Sequence, residues 1–526
     1  MLDLVIHDAL IIDGSGAPPY RGSLGIKNGN IHEVWNTPKS TMAGEQVIDA
    51  KGQVVCPGFI DTHTHSDLSL LHNGLGASSI TQGVTCELLG QDGLSYVPLD
   101  GEKLQEFVTY MSGINGLISD TAFDFTSVES YLSQFEGRSN INVAYLLPHG
   151  ALRLAAADFS NRGLSSLEMD RAKGLIYEGM SQGAVGMSSG LSYFPGAYGD
   201  TDELVELCRI VEKFGGVYAT HLRTVFQSKP FDAVDEALEI ARRSGVKLHF
   251  SHYRTGLTTF GQVDQIMKKI DAAIKEGMDV TLELYPYPYG ASYAAMYLPS
   301  WASEGGPSGI MKRLEDKKER TEIGEYIERE FGHLDPVVSY AGLDPSYEGK
   351  SFSQIADEMN LPYGQAVAEL LRLQKLRIGC REAEPNLTPE TKKRFEKDLF
   401  ELLERPYYMV GSDAIHLGQH IHPRAFGSFA KLLRLARQHH FPLETLIQRM
   451  CHLPAKRFGL SRRGLIQKGF AGDIVVFDPA VITDTATTLS PRESAKGIGA
   501  VLVNGLMTFE NGTLLKTFAG QALKRR

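Results

Sequence analysis

The sequence predicts an α/β fold: a TIM-like (β/α)8 barrel, a small β-sandwich built from both chain ends, and a long lid insertion before strand eight. Three observations predict it. Short apolar runs alternate with amphipathic helical stretches through the middle of the chain, as parallel strands joined by helices require. Eight such runs occur, the number that closes a barrel. Both chain ends read as strand-and-turn series, and the amino-terminal one has too little apolar surface to fold alone.

At the amino end, Leu4-Val5-Ile6 and Ala9 to Ile12 are strand-like, and Asp13-Gly14 and Lys27-Asn28-Gly29-Asn30 are turn signals. The second sits where a hairpin turn belongs. Its counterparts at the far end are Gly472 to Phe477, Ala500 to Gly505 and Phe509 to Gly512. Residues 1–53 and 465–526 are therefore expected to form one composite β-sandwich domain, and 54–464 the barrel. The barrel strands are read as Val54 to His65, Gly83 to Gly90, Ile141 to His149, Gly183 to Ser188, Gly216 to His221, Val246 to His252, Asp279 to Tyr285 and Tyr407 to Asp413. Asp232 to Ser244 and Gln262 to Glu276 are amphipathic helices between them. About 120 residues separate strands seven and eight, far beyond an ordinary connection. Residues of about 286–405 are read as an insertion over the barrel mouth, and its Tyr287, Tyr289, Tyr293, Tyr297 and Trp301 either line a pocket or form its own core.

A formal charge of −10 and a pI near 5.9 argue against a nucleic-acid binder, which shows a basic face. No stretch is apolar enough to span a membrane, and the first residues lack the basic and apolar regions of a signal peptide. Five scattered cysteines without CxxC spacing fit a reducing compartment, so a cytoplasmic protein with a small-molecule substrate is expected. Oligomeric state is not read from the sequence.

Barrel enzymes work at the carboxyl ends of their strands. Strand one ends in His63 and His65, which share a face at i and i+2. Strands three, five and six end in His149, His221 and His252, and strand eight in Asp413. Imidazoles and a carboxylate gathered at one end form a zinc-type N/O site.

Pro57 to His65, Gln82 to Thr85, Gly186 to Leu191, Tyr218 to Arg223, Tyr285-Pro286-Tyr287 and Gly411-Ser412-Asp413 carry a resemblance nearly end to end. His422-Pro423-Arg424 and Arg463 to Ile466 are its closest approach to a signature. The chain resembles the amidohydrolase superfamily and, within it, the N-acyl-D-amino-acid deacylases (D-aminoacylases). The resemblance implies zinc-dependent hydrolysis of N-acyl amino acids, with one or two Zn2+ ions; a preference for the D form enters from the resemblance alone. It implies metal ligands at His63, His65, His221, His252 and Asp413. The family's bridging cysteine, in a Gly-Asn-Cys-Gly turn, is replaced in Gly90-Gln91-Asp92-Gly93 by Asp92, a carboxylate that bridges as a harder ligand. Cys86 and Glu87 are the alternative bridges. Strand four carries no lysine, against the hydantoinase type of site.

Asp413 is then expected to act as general base and acid as well as ligand. Arg254, two residues after His252, and Tyr285 are expected to clamp the substrate carboxylate, with Arg377 and Arg424 as further candidates. His149 is a candidate for oxyanion support. A related amidohydrolase acting on a cyclic amide or dipeptide, and a non-catalytic metal-stabilised barrel, are the competing readings.

Overall fold

The computed structural model describes residues 1–37, 43–118, 123–224 and 230–525. Eight parallel strands run in sequential order: β1 (Phe59–Asp61), β2 (Val84–Leu89), β3 (Asn142–Pro148), β4 (Gly186–Gly190), β5 (Val217–His221), β6 (Lys247–Phe250), β7 (Val280–Leu284) and β8 (Tyr408–Val410). They are buried on both faces almost throughout, which explains why they read as continuous apolar runs rather than alternating ones. Helices follow the strands. Ser166–Ser181 begins with a capping box from Ser165 and Glu168, and Thr201–Lys213 is capped by Asp200, the local chemistry that starts a helix. The expected helices around 232–244 and 262–276 are Pro230–Ser244 and Val263–Lys275.

Ile60, Cys86, Leu88, Ala144, Leu146 and Met409 belong to one buried cluster drawn from strand after strand. This cluster is the apolar filling of the barrel. Closure between β8 and β1 comes just beyond the two strands. Thr62 N donates to Val410 O (3.4 Å), Asp413 N to His63 O (2.8 Å) and His65 N to Ala414 O (2.9 Å). Asp61 ties the same seam, accepting from Ser412 N at 2.8 Å and His63 N at 3.1 Å.

The two chain ends meet in a nine-stranded sheet. Leu2–Ile11 pairs with Tyr20–Lys27 and Val54–Pro57, and Val54–Pro57 pairs with Ile474–Phe477. Asn28-Gly29 forms the anticipated two-residue hairpin turn, with both residues at positive φ as a type I′ turn demands. Asn30 bridges to Ala471, so the sheet curls around a core that includes Leu4, Ile6, Leu24, Ile26, Ile474 and Leu502.

The run read as one opening strand is divided: Val54–Pro57 belongs to the terminal sheet and Phe59–Asp61 to the barrel. Gly58 is the pivot. The carboxyl-terminal tail returns to the barrel, where Leu523 N donates to Val143 O and Arg525 N to Gly183 O.

Between β7 and β8 lie a three-stranded antiparallel sheet (Ala291–Tyr293, Val337–Ala341, Ile378–Arg381) and several helices. The last helix of this segment, Pro389–Leu403, packs on Val263–Lys275, Arg424–His439 and β8, as the barrel's own helix does. Tyr285, Tyr287 and Tyr289 form a separate cluster, Tyr293 packs on Tyr110 and Tyr193, and Trp301 is part-exposed. The aromatic residues of this segment thus serve both uses: Tyr293 is packing, whereas Tyr287, Tyr289 and Tyr297 also line cavities.

A Cβ on Gly58 would lie 2.1 Å from Thr85 Oγ1. Gly58→Ala is expected to destabilise the protein by about 1–3 kcal/mol through overpacking. Chemical denaturation reads the loss, and Thr85→Ala in the same chain should recover part of it.

Candidate metal centre

The strand ends bring six of the sequence-predicted residues to one point. Asp92 Oδ2 lies 3.5 Å from His63 Nε2 and 3.7 Å from each of His65 Nε2, His221 Nδ1 and His252 Nε2. Asp413 Oδ1 lies 3.3 Å from His65 Nε2 and 3.7 Å from His63 Nε2. Two ligand sets follow: His63, His65, Asp92 and Asp413, and Asp92, His221 and His252. Asp92 belongs to both.

Local backbone aims these groups. Gly90, Asp92 and Gly93 all have positive φ, and a Cβ on Gly90 would strike Leu146 O at 2.1 Å. Gln91 Nε2 donates to Thr62 O (2.6 Å), and Gly93 N donates to Ser188 Oγ (2.9 Å). This pinned turn carries Asp92 inward. His252 (φ 39°) and Asp413 (φ 53°) are also left-handed, a conformation that costs non-glycine residues energy and recurs at functional sites.

The donor set fits a small divalent cation. Most of the separations exceed hydrogen-bonding distance, and buried His63 Nε2 and Asp92 Oδ1 have no hydrogen-bond partner among the described residues. Ligand atoms about 2.0–2.1 Å from a tetrahedral centre stand roughly 3.3–3.4 Å apart, close to the spacings observed. Charge points the same way. Asp92, Asp413 and Glu283 crowd His63, and the Arg424 guanidinium is ion-paired with Asp413. Burial works to lower the His63 pKa, but these carboxylates outweigh it and raise it well above the ordinary value. Burial works to raise Asp413, yet Arg424, with Nη1 2.8 Å from Asp413 Oδ2, and His63 hold it below the usual carboxylate range.

Around this cluster lies a cavity of about 260 Å³, lined by His65, Asp92, His221, His252 and Asp413 but not by His63. Residues of the 286–405 segment, among them Met296, Tyr297, Phe331 and Leu334, close its far wall, and Tyr285, Arg424 and Glu382 also line it. Arg254 stacks 4.4 Å over the Tyr285 ring, and Arg424 lies 4.8 Å from the same ring. Arg254 donates to Thr255 O and Tyr289 O, both at 3.3 Å, while its buried Nε has no partner among the described residues.

Other candidates lie elsewhere. His149 turns from the cluster: its Nε2 meets Glu203 Oε1 at 2.9 Å, in a buried group completed by Arg153, and it does not line the cavity. Cys86 is barrel filling. Glu87 faces the other way along the alternating strand and accepts from Ser79 and, at 3.3 Å, Thr64. Arg377 sits beside Gly342 and Tyr340.

Glu283 and His249 are site residues the strand-end rule misses. Glu283 Oε1 lies 2.5 Å from His63 Nδ1, and its Oε2 meets His249 Nε2 at 3.2 Å. The available signal is an acid in the otherwise apolar Leu282-Glu283-Leu284, two residues before Tyr285 and therefore on its face.

The family model described as amidohydrolase family matches residues 46–286. The D-aminoacylase of Alcaligenes xylosoxydans xylosoxydans is 30% identical over 99% of this chain and 98% of its own length. A solved D-aminoacylase, studied for its binuclear metal centre with one-metal activation and second-metal attenuation, superposes with a TM-score of 0.83. It is 29% identical, and each chain is covered completely. The N-acyl-D-glutamate deacylase of Bordetella bronchiseptica, solved with zinc and a phosphonate mimic of the tetrahedral intermediate, gives 0.81 at 28% identity, with 99% of each chain covered.

Arg424 is fully buried against Asp413. Arg424→Met strands that carboxylate without its partner, and the expected loss is about 3–5 kcal/mol. Urea denaturation of the metal-free protein at neutral pH measures it.

Proposed function

The chain belongs to the amidohydrolases, among the N-acyl-D-amino-acid deacylases, and from that premise we propose that it hydrolyses N-acyl-D-amino acids with zinc held by His63, His65, Asp92, His221, His252 and Asp413. One observation carries the reading: a single oxygen, Asp92 Oδ2, stands 3.5–3.7 Å from four imidazole nitrogens. His63, His65, Asp92 and Asp413 would hold one zinc ion, and Asp92, His221 and His252 a second. The chemistry that zinc would supply there is polarisation of the scissile carbonyl and a lower pKa, about 7, for the attacking water.

The chain's own groups handle the proton. Arg424 occupies Asp413 Oδ2, which leaves Oδ1 turned toward His65 and the cavity. Oδ1 takes the proton as water adds to the carbonyl carbon, then passes it to the nitrogen as the carbon–nitrogen bond breaks. The products are a carboxylate and a free amino acid. Arg254 and Tyr285 hold the substrate carboxylate, a role that the unpaired Nε of Arg254 supports. Ile114, Met296, Tyr297, Phe331 and Leu334 give the cavity an apolar wall with Glu382 near it. That lining suits an apolar side chain and disfavours an acidic one. The 286–405 segment acts as a lid that keeps water out, and the terminal sheet, packed on the barrel through Val475, Val501 and Phe509, forms a second domain. All five cysteines are unpaired and buried, in keeping with a cytoplasmic setting; among the described residues, no helix is long and apolar enough to cross a membrane.

Elemental analysis should find zinc in the purified protein. N-acetyl-D-methionine or N-acetyl-D-leucine should be hydrolysed faster than N-acetyl-D-aspartate and than the L forms. No release of amine from any acyl amino acid by the metal-replete protein would overturn the reading. Asp413→Asn should keep much of its zinc and lose about 10²–10⁴-fold in kcat. Arg254→Met should raise KM about tenfold or more, the worth of a hydrogen bond to a charged group; unchanged kinetics would place the clamp elsewhere.

A further inference from the structure

One polar run inside the barrel takes no part in the proposed proton transfers. Thr281 Oγ1 meets His249 Nδ1 at 2.8 Å, His249 Nε2 meets Glu283 Oε2 at 3.2 Å, and Glu283 Oε1 meets His63 Nδ1 at 2.5 Å. Thr62 Oγ1 donates to Glu283 Oε2, and the His252 backbone N–H points to Oε1 at 3.4 Å. Glu283, His249 and His63 are buried essentially completely. On β1, β2, β3 and β8 the barrel filling is apolar: Ile60, Leu88, Ala144 and Met409. An aliphatic residue would fill space equally well on β7, without the several kcal/mol that burying a carboxylate costs.

We infer that Glu283 is the positioning residue of the metal centre. It accepts the Nδ1 proton of His63 and so turns the Nε2 lone pair toward Asp92 and Asp413, and it anchors the left-handed backbone of His252. A carboxylate behind a ligand imidazole fixes its tautomer and raises its basicity. His249 serves Glu283 in turn, donating through Nε2 while its Nδ1 accepts from Thr281. Burial works to raise the Glu283 carboxyl, but His63 and His249 outweigh it and hold it below the usual carboxylate range. The inference rests on the metal reading above.

The test compares the full-length wild type with Glu283→Gln, His63→Ala and the double variant, each titrated with chelator-buffered zinc and read by elemental analysis. The absorption spectrum of the cobalt-substituted proteins is a second readout. Glu283→Gln is expected to weaken zinc binding by about 10–100-fold and to alter the cobalt spectrum, with circular dichroism unchanged. Added to His63→Ala, it should produce a much smaller further shift, because its main action runs through His63. His249→Asn, which withdraws one donor from Glu283, should move binding the same way by less and serves if Glu283→Gln does not fold. Wild-type zinc affinity and an unchanged cobalt spectrum in Glu283→Gln would overturn the inference, as would a full-sized shift in the His63→Ala background. A wild type that binds no zinc overturns the proposed function and this inference with it; a zinc-binding wild type with unshifted variants overturns only this one.

Discussion

Two carboxylates, Asp92 and Asp413, are buried in the barrel mouth among four imidazoles, and most of the surrounding structure answers to that constraint. A buried anion without a partner is expensive, and a buried pair repays its desolvation only with good geometry. Arg424 satisfies one oxygen of Asp413. Among the described residues nothing comparable faces Asp92 Oδ2, which has four imidazole nitrogens around it, none closer than 3.5 Å. The turn that carries Asp92 spends three positive-φ residues to hold it there. Such a layout makes physical sense around a cation and little sense without one.

The barrel's closure depends on the same residues. The hydrogen bonds that join its last strand to its first run through Thr62, His63, His65 and Asp413, and Asp61 clips the two sides together. Candidate ligands from the two ends of the chain's barrel segment thus sit on one seam, their separation set by backbone pairing rather than by side-chain reach. Sites on regular elements are held more tightly than sites on free loops. Fold and centre share one set of bonds, so damage to the seam is expected to appear as metal loss as well as instability.

Much of this was legible in the residues, for stated reasons. Buried parallel strands read as apolar runs, and a histidine or aspartate closing such a run is conspicuous; His63, His65, His221, His252 and Asp413 were found that way. His149 obeys the same rule and still points elsewhere, because Glu203 on the helix Thr201–Lys213, itself paired with Arg153, captures it, and helix partners do not show in a strand pattern. Asp92 sits past a strand end in a turn, where periodicity says nothing; only the family resemblance reached it. Glu283 was hidden for the opposite reason. It stands inside a strand, where an acid looks like an anomaly until the inward neighbours, His63 and His249, are known. The split of the opening run at Gly58 was equally invisible, since both halves are apolar and only the pairing partners differ.

The centre has a fixed side and an open side. His63 is fully buried, backed by Glu283, and stays off the cavity wall, while His221 and His252 are partly exposed and face it. Hydrolysis needs both conditions. The groups that hold charge must not relax as the tetrahedral centre forms, since reorganisation at that moment forfeits electrostatic stabilisation. The amide must nonetheless reach them with its carboxylate and side chain in place. Here the rigid side faces the barrel interior, and the open side faces the segment inserted between β7 and β8. A change in that segment leaves the seam, the Asp92 turn and the Glu283–His63 contact in place. The apolar wall of Met296, Tyr297, Phe331 and Leu334 belongs to that segment; the histidines it faces do not.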